Sequence, residues 1–96
     1  MNLQNKEAVL IKTDGTYESV KPKNKTHFVL KELQEYVNGL IQMLPSNEQG
    51  YVLIVNEEAG CHNDSEENIR GSMYYKYGRT NKLLGDILIV KTKYLK

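Results

Sequence analysis

Between His27 and Leu44 the apolar residues Leu30, Leu33, Val37, Leu40 and Leu44 recur at helical intervals, with Val29 and Ile41 widening the stripe. Lys31, Glu32, Gln34 and Glu35 fall on the opposite side. This period predicts one long amphipathic helix over His27 to Leu44, with a single face to bury against another layer. Thr26 is the expected N-cap and Pro45 the expected stop. Gly39, inside the pattern, should cost about 1 kcal/mol against alanine, so it marks either a close backbone approach or an early helix end.

The segments around the helix read as strands. Ala8-Val9-Leu10-Ile11, Asp14-Gly15 and Thr16 to Val20 predict a hairpin, because Asp-Gly supplies the positive φ of a tight turn. The basic link Lys21 to Lys25, with Pro22, ends the second strand. Tyr51 to Val55 suits a buried strand, and Ile87-Leu88-Ile89-Val90 is the clearest strand of the chain. Asn68 to Tyr77 fits a short helix or a strand, and periodicity does not choose between them. The expected architecture is α+β in a single domain, residues 1 to 96: one long helix on a small mixed or antiparallel sheet, in the order β-β-α-β-(short α)-β.

Ninety-six residues, 40% hydrophobic, suffice for one modest core. The four-residue run Ile87 to Val90 is far below the roughly 18 to 20 residues of a membrane span, and the N-terminus lacks a signal pattern. A cytoplasmic protein without membrane contact is the expectation. One cysteine, Cys61, excludes an internal disulfide and carries no zinc-site spacing. The net charge of +1 conceals a division. Residues 51 to 69 hold five acids and no Lys or Arg, whereas residues 70 to 96 hold seven Lys or Arg against Asp86 alone. A basic segment of this kind favours an anionic partner or pairs with the acidic segment before it.

Catalytic chemistry finds no foothold. Cys61 and His62 are adjacent, which on extended backbone points them to opposite faces, and no oxyanion loop accompanies them. Glu57, Glu58, His62, Asp64, Glu66 and Glu67 form an acidic group without the alternating ligands and central glycine of a calcium loop, so they read as ordinary surface acids. No phosphate-binding or dinucleotide glycine pattern occurs. The reading is a non-enzymatic protein with no catalytic residue, no cofactor and no metal.

Binding chemistry centres on Gly71 to Lys82, "GSMYYKYGRTNK". Tyr74, Tyr75 and Tyr77 interleave with Lys76 and Arg79, and Arg70 precedes them. Such rings can stack on a base while the cations meet phosphate, or they can form a protein interface. The alternative is half-buried tyrosines with wet hydroxyls beside solubilising cations. Asn56 and Asn68 join the candidate site, each also suited to capping backbone groups.

Four stretches in order, "LKELQEYVNGLIQML", "VLIVNEEAG", "ENIRGSMYY" and "LLGDILIV", resemble the family known as domain of unknown function 3846 over about residues 7 to 92. Leu33, Gln34 and Val37 stand at its helix motif, with Asn38 and Gly39 where paired glycines are common. Asn56, Glu57, Glu58 and Gly60 match its turn with Ala59 intervening, Asn68 and Ser72 its helix start with Gly71 for alanine, and Gly85 and Asp86 its last motif. The resemblance implies a protein of phages, plasmids or other bacterial mobile elements and brings no activity with it; by analogy with small phage proteins, the expected function is an accessory factor that binds and inhibits a host defence protein. Sequestration of an anionic signalling nucleotide is the alternative, and DNA or RNA binding the third, weakened by the net charge of +1. Strand edges expected at the N-terminal hairpin and after Ile87 admit a homodimer that pairs them.

Overall fold

The computed structural model describes Leu3, residues 6 to 59 and residues 66 to 95. Five strands, β1 (Ala8–Ile11), β2 (Tyr17–Val20), β3 (Ile41–Pro45), β4 (Tyr51–Asn56) and β5 (Ile87–Lys91), form one antiparallel sheet in the order β2-β1-β5-β4-β3. The fold is α+β, as expected. Helix α1 (Leu30–Val37) follows β2, the one-turn helix α2 (Ile69–Ser72) follows β4, and a 3₁₀ turn (Thr92–Tyr94) follows β5. Among the described residues no helix is long and apolar enough to cross a membrane.

The register explains why the strand sequences are apolar without alternation. Leu10 pairs with Leu88 and Leu88 with Ile54, while Val9 pairs with Ile89 and Ile89 with Leu53. Successive side chains therefore enter two cores. Ala8, Leu10, Ile54, Leu88 and Val90 meet Phe28, Leu33 and Val37 on the α1 face. Val9, Ile11, Leu53, Val55, Ile87 and Ile89 form the core on the other face, covered by Tyr74, Tyr75 and Leu83. β5, with four residues at 0% exposure, is buried on both sides.

The long helix expected over His27 to Leu44 is corrected by this arrangement. α1 stops at Val37, since Asn38 takes the left-handed conformation (φ 64°) and Gly39 donates its N–H to the Gln34 carbonyl at 3.0 Å. An added Cβ on Gly39 would meet the Asn56 carboxamide at 2.8 Å, so the glycine serves close approach at an early helix end. Ile41 to Pro45 is then a strand, and the order becomes β-β-α-β-β-α-β. Ile41 is β-branched and favours the pleated state. Pro45 ends no helix; it lies on edge strand β3, where a missing N–H disrupts no ladder.

Other details of the hairpin and cap also differ. The β1–β2 turn has positive φ at Gly15 (90°) and not at Asp14, whose carboxylate instead accepts from the Thr16 N–H at 2.9 Å. The Thr16 hydroxyl donates to the same oxygen at 2.6 Å and is the first cause holding the Asp14 carboxyl below its ordinary range, with the N–H bond second. Thr26 does not cap α1: extended Val29 precedes the helix with no side-chain bond, and Thr26 turns to Asn24. Nor does β5 offer an edge for dimerisation, because it is hydrogen-bonded on both sides; the sheet edges are β2 and β3.

Candidate interaction surface

The segment from Glu66 to Leu84 lies over the second face of the sheet because a few buried polar bonds staple it there. Asn68, fully buried, accepts the Gly71 N–H at 2.7 Å and donates to the carbonyls of Ile11 and Gly85, each at 2.9 Å. All hydrogen-bonding capacity of its Nδ2 is used. The Asn68 N–H donates to the Leu83 carbonyl at 2.8 Å, and Ser72 Oγ accepts the Leu83 N–H at 2.9 Å, closing the loop. The undecided stretch Asn68 to Tyr77 is thus a one-turn helix opened by Asn68, followed by turns.

A second set of bonds ties the segment to the β3–β4 connection. Asn47 donates its N–H to the Tyr74 carbonyl at 3.0 Å and its Nδ2 to the Met73 carbonyl at 2.8 Å. Lys76 donates its N–H to the Pro45 carbonyl at 3.1 Å. Because the backbone is held on both sides, Tyr74 and Tyr75 pack into the second core, whereas Tyr77 remains 51% exposed. Tyr75 meets Tyr77 edge to face, with centroids 5.7 Å apart at 87°, and Lys76 Nζ sits 5.8 Å from the Tyr77 ring centre.

What the staples leave outside is a groove of about 570 Å³. Ile69 at the start of α2 and Met73 at its C-cap, four residues apart, line it and are each 70% exposed. Lys76, Arg79 and Lys82 line it as well. Lys82 and Glu67 approach to 3.7 Å, the one ion pair within 4 Å among the described residues. Two apolar side chains of this exposure, set among cations, make a surface with both an anchoring patch and a sign.

Of the eight residues singled out from the sequence, Tyr75, Lys76 and Arg79 share the groove, with Tyr77 beside it. Tyr74 lies beneath, against the core. Arg70 points toward the hairpin, its guanidinium 5.3 Å from the Tyr17 ring centre and its buried Nε without a hydrogen bond among the described residues. Asn56 stands elsewhere: its Nδ2 donates to the carbonyls of Val37 and Asn38 at 3.1 and 3.2 Å, and its Oδ1 accepts the Glu58 N–H at 2.7 Å. It closes the C-terminal end of α1. Ile69, Met73 and Lys82 were not among the eight. An apolar pair at a helical spacing signals a buried face as readily as an exposed one, and only the direction of α2 tells which. Cys61, His62 and Asp64, weighed above for catalysis and metal binding, lie outside the described residues.

Compared with models of protein families, with curated proteins and with solved structures, the chain matches none.

Proposed function

We propose that this chain is a cytoplasmic, non-enzymatic protein-binding module whose contact surface is the groove between α2 and the turns that follow it. The observation that carries the reading is the 70% exposure of both Ile69 and Met73 on a segment otherwise anchored by buried bonds. A segment held so firmly from below presents these side chains at little further ordering cost, which favours tight association. The resemblance to the domain of unknown function 3846 family supplies the setting: a mobile-element factor that occupies and inhibits a host protein by stoichiometric binding.

Sequestration of a nucleotide is supported less. A base needs an open ring face, yet Tyr74 is packed on the sheet and Tyr75 is half-buried, in edge-to-face contact with Tyr77. Of these three tyrosines, Tyr77 alone offers much of its ring to solvent. Binding to DNA or RNA asks for a wider phosphate footprint than a net charge of +1 suggests.

The test is native mass spectrometry of the chain purified from bacterial cells, beside affinity capture with the wild type and with the double variant Ile69→Asp, Met73→Asp. A stoichiometric protein partner lost with the double variant supports the reading. A partner retained equally by both, or an added mass of nucleotide size with no protein partner, would overturn it.

A further inference from the structure

Resting on that reading, we infer that the groove takes an acidic, amphipathic segment of the partner, which lays apolar side chains on Ile69 and Met73 and sets carboxylates against Lys76, Arg79 and Lys82. The apolar part follows from geometry: Ile69 and Met73 share one wall, and methionine adapts its flexible thioether to whatever side chain meets it. A volume of about 570 Å³ holds a few side chains of a segment and not a folded domain.

The charge selects the flanking chemistry. Three cations and one carboxylate, Glu67, line the groove, leaving it net positive. The Glu67 contact with Lys82 at 3.7 Å already shows a carboxylate meeting this rim from within the chain. A basic segment would be repelled there, and a neutral one would leave Lys76 and Arg79 without a counter-charge. A polynucleotide would meet the cations but brings only thymine methyls and sugar methylenes to Ile69 and Met73, and the edge-to-face contact of Tyr75 with Tyr77 already occupies one ring face of the pair.

The experiment is fluorescence anisotropy with the full chain and three fluorescein-labelled probes: a synthetic amphipathic peptide of leucines and glutamates, the same peptide with lysine for glutamate, and an oligothymidylate. Saturable binding of the glutamate peptide alone is expected, weakened about ten-fold by raising salt several-fold. The triple variant Lys76→Glu, Arg79→Glu, Lys82→Glu should lose about ten-fold or more in affinity. Met73→Ser should lose a comparable factor at unchanged salt dependence. Equal binding of both peptides, no binding of the glutamate peptide, an unaffected triple variant, or preference for the oligothymidylate would each overturn the inference. Capture of the cellular partner that depends on Ile69 and Met73 but not on the three cations would leave the protein-binding reading standing and remove the acidic segment. Capture that depends on neither would remove both.

Discussion

The carboxamide of Asn68 holds the backbone of Ile11, 57 positions away in sequence, through a 2.9 Å bond to its carbonyl in a site with no solvent exposure. Asn68→Ala strands that carbonyl together with the Gly85 carbonyl and the Gly71 N–H, and should cost about 3 kcal/mol in urea unfolding. Asn68→Asp should cost more, since a carboxylate has no proton for either carbonyl. A loss below about 1 kcal/mol for the alanine variant would show that water replaces the bonds.

Gly78 stands where a Cβ would collide with the Ser72 carbonyl oxygen. At Gly15 nothing lies within 4 Å of such an atom, and only its positive φ of 90° opposes a side chain. Gly15→Ala should therefore cost about 1 kcal/mol. Gly78→Ala should cost more and act locally. Hydrogen exchange should quicken for amides of residues 69 to 82 while those of β5 keep their protection.

Tyr51 shares the proton of its hydroxyl between the carbonyls of Leu3 and Lys6, at 2.7 and 2.9 Å. Burial is the first cause raising its phenol above the ordinary 10.0, and Glu48 adds to it. A raised folded-state value means that the phenol stabilises fully below pH 10.0 and loses this contribution as pH climbs through the folded value. Tyr51→Phe should thus cost about 1 kcal/mol at neutral pH, a deficit that shrinks in alkaline solution. Urea midpoints at the two pH values measure it, and a deficit constant with pH would refute the linkage.

The left-handed Asn38 is the switch between α1 and β3. Asn38→Gly should leave thermal stability within about 0.5 kcal/mol of the wild type, whereas Asn38→Val should lose about 1 to 2 kcal/mol because a β-branched residue resists this conformation. Equal melting temperatures for the two variants would mean that α1 does not end there.

That switch also marks where the sequence stops being legible. Strands β1, β2, β4 and β5 announce themselves by short apolar runs and turn residues, and Leu30 to Val37 by its stripe. Leu40, Ile41, Met43 and Leu44 satisfy a helical period as well as a strand, so the pattern alone carries the helix on into β3. The decision lies in Asn38 and in the Asn56 carboxamide that reaches back to Val37 and Asn38, a contact 18 and 19 residues distant. The tyrosine segment is hidden for a similar reason. Which ring turns inward depends on Asn47, which bonds Met73 from 26 positions away, and no spacing within "GSMYYKYGRTNK" encodes it.

β5 is the last of the five strands in chain order and the middle one in space. Until it is in place, β1–β2 and β3–β4 are two hairpins with no ladder between them. Synthesis from the N-terminus therefore yields two unstable ribbons that wait on the ribosome for their common centre, and the chain closes in one late, non-local step. High contact order of this kind makes folding slow for a sheet of five short strands and leaves Leu10, Leu53 and Ile54 uncovered meanwhile, an interval in which a chaperone has something to hold.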